Sequence, residues 1–144
     1  MTIRRLLKSD SKDLVLFLNH DKFDCCGLRD FWTVDELSKW FSVAEDICLG
    51  YFGNDGLIGF CLTHFCHQIN KVYLENIYVN TEYRGRGIAP QLINETIRLY
   101  SELFPETEKR YVALIEENNA AVSRALSKCG FKTGDKMLWV QRNK

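Results

Sequence analysis

The stretch that most constrains this chain is a glycine-rich junction near its middle. Ile77-Tyr78-Val79 ends a β-branched and aromatic run, and the chain passes through Asn80-Thr81-Glu82-Tyr83 into Arg84-Gly85-Arg86-Gly87-Ile88-Ala89-Pro90. Behind it Ile88, Leu92, Ile93, Thr96, Ile97, Tyr100, Leu103 and Phe104 recur at helical spacing, with Pro105 beyond the end. A strand therefore enters a long amphipathic helix through a glycine turn. Glycine lets backbone approach a ligand closely and take positive φ. The unpaired N–H groups of a first helical turn, added to the helix dipole, make an anion site. Arg84 and Arg86 put charge beside it, and Pro90 falls in a first turn, where its missing N–H costs nothing. No GK[ST] follows, so this is not a Walker A loop, and the dinucleotide fingerprint lacks its third small residue. Taken alone, the loop also fits a plain glycine turn into a helix.

The rest of the chain is a mixture of short strands and helices. Thr2 to Leu7 reads as a first strand, and Asp10 as the N-cap of a helix carrying Leu14, Val15, Phe17 and Leu18. The pattern fades over Asp21 to Asp30. Thr33-Val34-Asp35-Glu36 is a capping box ahead of Leu37, Trp40 and Phe41. Ile47–Phe52, the turn Gly53-Asn54-Asp55-Gly56, and Leu57–His67 form a hairpin, and Lys71–Asn80 adds a third strand to a meander. Tyr111–Ile115 is a strand, Asn119–Lys128 a helix stopped by Gly130, and Lys136–Gln141 a last strand. This predicts an α/β (α+β) fold: one mixed, mostly antiparallel sheet flanked by about four helices. The length, 144 residues, suits a single domain over 1–144.

Charge and cysteine content exclude several roles. Nineteen Lys+Arg balance nineteen Asp+Glu, so no basic excess exists for counterion-driven binding to nucleic acid. No apolar run approaches a membrane span, and charge returns too early at the N-terminus for a signal peptide. A cytoplasmic location with reduced cysteines is the expectation. Cys61, His64, Cys66 and His67 crowd together but match no metal-ligand spacing. Strand alternation would send His64 and Cys66 to one face and Cys61 and His67 to the other. No metal site is expected.

Two motifs in register identify a family resemblance. Tyr73 to Leu92 resembles the acetyl-CoA-binding motif of the GNAT superfamily of N-acetyltransferases, R/Q-x-x-G-x-G/A, met by Arg84, Gly87 and Ala89. Asn119 to Phe131 resembles the family's second block, an Asn followed eleven residues later by Gly-Phe. Element order agrees along nearly the whole chain. The resemblance implies an acyl-CoA N-acyltransferase fold whose two central strands splay into a V. It implies acetyl-CoA as cofactor, with the pyrophosphate on backbone N–H groups from Arg84 through Gly85, Arg86, Gly87 and Ile88 to Ala89. The pantetheine arm would lie along Ile77-Tyr78-Val79, with Asn119 bonding it or holding the end of the second strand.

The resemblance also implies roles in catalysis. Glu75 is the carboxylate in the strand beside the thioester, and so the candidate general base. Its alternatives are a solvated face or an ion pair with a neighbouring strand. A bulge near Glu75-Asn76 is expected, because Leu74 to Ile77 breaks the apolar alternation. The Ile77 N–H would stabilise the oxyanion. Many members carry a Tyr acid seven residues after the Asn; here that position is Leu126. Ser123, one turn earlier, is the candidate to bond the thiol. Ser127 and Cys129 are weaker candidates. The acceptor would be a primary amine, on a small molecule or a peptide, bound by the Asn19 to Trp32 loop with Phe31 and Trp32. Asp46, Glu116 and Glu117 are candidates to attract its charge. Monomer and homodimer both suit the family. The competing readings are a non-catalytic acyl-CoA-binding regulatory module, for which Leu126 speaks, and a generic phosphate-binding domain, against which the Asn119 to Phe131 block speaks.

Overall fold

The computed structural model describes residues 1–20, 32–115 and 119–135, together with Val140 and Arg142. Its strands are β1 (Thr2–Arg5), β2 (Leu49–Gly53), β3 (Gly56–Cys66), β4 (Lys71–Val79) and β5 (Arg110–Ala113). They form one sheet in chain order. The first four run antiparallel, and β5 lies parallel to β4. The described helices are α1 (Ser11–His20), α2 (Val34–Phe41), α3 (Ile88–Leu103) and α4 (Ala120–Lys128). This is the mixed, mostly antiparallel sheet with four helices that the residue pattern predicts. The strand expected over Lys136–Gln141 falls almost wholly outside the described residues.

The sheet separates two apolar cores. On one face Leu14 of α1 and Leu37 and Phe41 of α2 pack on Leu6, Cys48, Phe60, Leu62 and Tyr78. On the other, Ile88, Leu92, Ile93 and Tyr100 of α3 and Ala125 and Leu126 of α4 pack on Leu49, Cys61, Phe65, Val72, Leu74 and Val79. Among the described residues no helix is long and apolar enough to cross a membrane.

Local chemistry sets the element ends. Thr33 Oγ1 accepts the Glu36 N–H at 3.1 Å, and Glu36 Oε2 accepts the Thr33 N–H at 3.4 Å, so the expected capping box starts α2. Asp10 departs from its expected role. Its carboxylate turns back to the Leu7 N–H at 2.7 Å and holds the Arg4 guanidinium with two 2.9 Å bonds. The cation fixes it away from the first turn of α1 and holds its carboxyl below the usual range. At the far end of α4, Gly130 takes φ 89°. The Phe131 N–H donates to Leu126 O at 3.0 Å and the Gly130 N–H to Ser127 O at 3.1 Å, a Schellman stop. The Gly-Phe pair is thus the mechanical end of α4.

Tyr100 ties the layers together. Its fully buried hydroxyl lies 2.9 Å from the Ile47 N–H, 2.9 Å from Glu45 O and 2.8 Å from Thr63 Oγ1. The segment leading into β2 is thereby fixed against β3 and α3, which sets the position of Asp46.

Candidate active site

The site begins with a fault in the sheet. Leu62 pairs with Asn76 and Thr63 with Leu74, so Glu75 has no opposite residue on β3. It is the extra residue of a β-bulge at the expected place. Leu74 and Ile77, three residues apart, consequently both face the α3 core. Glu75 points to the opposite face, over α2.

The same bulge changes which backbone groups look outward. Asn70 O accepts from Arg110 N–H on the β5 side. After the bulge, Asn80 N–H donates to Ile58 O on the β3 side at 2.8 Å. By alternation, Ile77 and Val79 turn their backbone groups away from β3. Arg84 Nε donates to Val79 O there, at 2.9 Å. β5 pairs with β4 only over Lys71–Leu74. Beyond Leu74 no strand covers this edge among the described residues. The two strands part into a V with its open edge along Glu75–Val79.

The V leads to the start of α3. Gly85 and Gly87 both take φ 78°, and Gly87 is the N-cap of this 16-residue helix. No side chain caps the first turn, so the Ile88 and Ala89 N–H groups, which have no acceptor within the helix, face the loop. Pro90 is the third helical residue and has no N–H to leave unpaired. A Cβ on Gly85 would meet nothing within 4 Å, and one on Gly87 only the Gln91 side chain at 3.8 Å. The loop is an open cradle for an anion, and its donors fit the pyrophosphate of coenzyme A. The two arginines are less direct. Arg84 lies over the Tyr78 ring at 5.3 Å, while Arg86 lies over Tyr83 at 5.0 Å and donates to Glu82 O at 3.3 Å. They brace the loop while their charge stays beside it.

Across β4 from this edge is a pocket of roughly 420 Å³, lined by Lys39, Trp40, Val43, Asp46, His64 and Glu75. Trp40 is fixed by its indole N–H, which donates to Thr63 O at 2.9 Å. Asp46 is buried, and its Oδ1 accepts the Phe65 N–H at 2.9 Å. Both Asp46 oxygens lie 3.2 Å from His64 Nδ1. The Glu75 carboxyl is pushed above the usual glutamate range, chiefly because the pocket wall screens part of it from water, although the residue stays exposed on its open side. His64 opposes that rise and Asp46 adds to it.

The remaining predicted residues distribute unevenly. Asn119 Oδ1 caps α4, accepting the Val122 N–H at 3.3 Å, which explains an Asn at this position on local grounds. Ser123 is half-buried on α4. Leu126 is buried in the α3 core, so an apolar side chain fills the place where a tyrosine acid would stand. Cys129 Sγ donates to Pro90 O at 3.6 Å, joining the end of α4 to the start of α3. Trp32 packs edge-on against Trp40, with ring centroids 6.1 Å apart, beside the pocket. Phe31, Glu116, Glu117 and most of the Asn19 to Trp32 loop lie outside the described residues. Sequence reasoning missed His64, Trp40 and Lys39 as site residues. His64 stood in a run weighed for metal, and among the described residues no three His, Cys, Asp or Glu side chains form a metal-binding group.

Comparison with known proteins bears on the family and the fold. A model described as the acetyltransferase (GNAT) family matches residues 13–131. No curated protein matches in sequence. Among solved structures, the PaiA N-acetyltransferase of Thermoplasma acidophilum in complex with coenzyme A is 21% identical. It superposes with a TM-score of 0.79 over 94% of this chain and 92% of that one. An aminoglycoside acetyltransferase from an uncultured soil metagenomic sample, in complex with trehalose, is 14% identical, with a TM-score of 0.77 over 99% and 95%. A ribosomal-protein-alanine N-acetyltransferase from Brucella melitensis biovar Abortus 2308 is 19% identical, with a TM-score of 0.68 over 100% and 99%. At these identities the likeness is one of fold.

Proposed function

The chain belongs to the GNAT acetyltransferase family, and from that premise we propose that it transfers an acetyl group from acetyl-CoA to a primary amine within a ternary complex. The observation that carries this reading is the bulge: one inserted residue sets a carboxylate on one side of β4 and an open backbone edge on the other. Acetyl-CoA supplies the acyl group already activated as a thioester. The first turn of α3 and the Gly85–Gly87 loop would hold the pyrophosphate. The Ile77 and Val79 backbone would pair with the pantetheine arm as an added strand, and Ser123 and Asn119 would stand at its other side. From Val79 to Glu75 the edge runs about 13 Å at the usual strand rise. That distance joins the anion loop to the bulge. The coenzyme A complex of the Thermoplasma protein supports this assignment of the donor.

Glu75 would take the proton of the incoming ammonium. A carboxyl raised above the usual glutamate range is a better matched base for that task than an ordinary glutamate. The Ile77 N–H would stabilise the developing oxyanion. Departure of the thiolate needs no strong acid, since a thiol pKa near 8.5 makes it a fair leaving group. The acceptor, a small molecule or a peptide, would enter over Trp40 and Trp32. Two proteins that share the fold are named as an aminoglycoside acetyltransferase and a ribosomal-protein-alanine N-acetyltransferase, one for a small molecule and one for a protein residue.

Leu126 favours a second reading, a module that binds acyl-CoA without turnover. A thiol-release assay across an amine panel separates the two. We expect release of coenzyme A that depends on an amine. Tight acetyl-CoA binding with no release for any amine would replace the enzyme with the binding module.

A further inference from the structure

Beside Glu75 the pocket holds a second pair of groups with the geometry of a proton acceptor. His64 Nδ1 is 3.2 Å from both oxygens of Asp46, which is itself buried and anchored by the Phe65 N–H. An ionised carboxylate can only accept hydrogen bonds, so it holds the neutral imidazole as the Nδ1–H tautomer. Nε2 then carries the free lone pair. The His64 side chain is 52% exposed and lines the pocket, whereas that of Asp46 is 6% exposed. Its ring stacks on Tyr73, the residue paired with it across β3 and β4, at 6.5 Å between centroids. Three constraints therefore fix one ring: a carboxylate, an aromatic face and the strand. The groups that face His64 are Asp46 ahead of β2, Lys39 on α2, Tyr73 and Glu75 on β4, Lys71 over the Tyr73 ring at 5.6 Å, and Cys66 on its own strand.

We propose that His64 is a catalytic base of the acceptor pocket, working with Glu75, and that Asp46 is the positioning residue that keeps its Nε2 unprotonated toward the amine. The inference rests on the acetyltransferase reading and assigns the proton path within it. Atoms balance simply. The ammonium's proton goes by way of Glu75 to Nε2, and the neutral nitrogen bonds the thioester carbon as the C–S bond breaks. The second nitrogen proton leaves with the coenzyme A sulfur. The imidazolium then returns its proton to water through the open side of the pocket. Asp46 remains ionised throughout and stabilises the imidazolium.

Two measurements test this, one of them independent of activity. In ¹⁵N-labelled protein without acetyl-CoA, the His64 ring, assigned by its loss in His64→Gln, should show the Nδ1–H tautomer. Asp46→Asn keeps an acceptor for the Phe65 N–H but turns a donor toward Nδ1, and should shift the ring to Nε2–H. An Nε2–H ring in the wild type overturns the proposal whatever the enzyme does. In the amine assay, His64→Gln should lower kcat/KM on the order of 10²-fold at pH 7. The deficit should shrink as pH approaches the amine's own pKa. Asp46→Asn should show the same shape with unchanged affinity for coenzyme A. A wild type that turns over, with His64→Gln matching it across pH, overturns the role of His64 while leaving the acetyltransferase reading intact. A wild type that acetylates no amine overturns both.

Discussion

The phenol oxygen of Tyr100, on α3, lies 2.9 Å from the backbone N–H of Ile47, just ahead of β2. One residue earlier stands Asp46, so the long helix locates the acid of the pocket from behind the sheet. Tyr100→Phe keeps the ring and strands a buried N–H, which costs about 1–3 kcal/mol. The denaturation midpoint should fall with the m value unchanged. Thermal unfolding should drop by roughly 3–10 °C for a domain of this size.

Glu75 should trade stability against activity. Its carboxyl is raised in the folded state by loss of water. The folded chain thus holds that proton more tightly than the unfolded one. The stabilisation this gives is complete below the ordinary glutamate pKa and is lost as pH rises through the raised value. At pH 7 the ionised group opposes folding, so Glu75→Gln should melt no lower than the wild type. The same variant should lose activity more at neutral pH than at high pH, where the amine is already free. Paired melting curves and pH–rate profiles check both halves. An unchanged rate profile removes Glu75 from the mechanism.

The loop assignment predicts a different phenotype. Gly87→Trp places a large side chain over the amides of α3 and forces a non-glycine residue to φ 78°. The strain costs about 1–2 kcal/mol, which a folded domain survives. Titration calorimetry should find coenzyme A binding abolished while the circular dichroism spectrum persists. Normal affinity would move the pyrophosphate elsewhere.

Two cysteines should prove inert. Burial pushes the Cys61 thiol up to about 12, and the wholly buried Cys48 rises as well. At pH 8 only about one Cys61 in 10⁴ is thiolate, and thiolate is the reactive form. Mass spectrometry after alkylation of the native protein should leave both unmodified. Denaturation should expose them to labelling.

Much of this architecture is legible in the residues because its causes are local. Thr33 and Glu36 lie one turn apart and cap each other whatever the rest of the chain does. Gly130 and Phe131 stop α4 by bonds that reach back no further than Leu126. The bulge, too, shows itself as a break in alternation between Leu74 and Ile77. Asp10 misleads because Arg4, on a different element, claims its carboxylate. Asn119 reads as a ligand contact, yet the first need it meets is the cap of its own helix. The Asp46–His64 pair could not be read from spacing at all. It forms only once the β2–β3 register is set and Tyr100 has fixed the entry to β2. Of the cavity, Asp46 and Glu75 stood out by their charge, whereas Trp40 and Lys39 looked like any two neighbours on an amphipathic helix.

The inserted residue on β4 has one more implication. A strand carries its side chains in phase, and a slip of one position exchanges its two faces. Because Glu75 is the residue in excess, its deletion would not slip the strand: Leu74 and Asn76 already pair with the consecutive Thr63 and Leu62. Ile77 and Val79 would still face α3, and Tyr78 would still face α1 and α2. A three-nucleotide deletion at this codon would therefore take away the carboxylate and the bulge together while both cores stayed in phase. The chemistry sits on a residue that the sheet does not need for its own pairing.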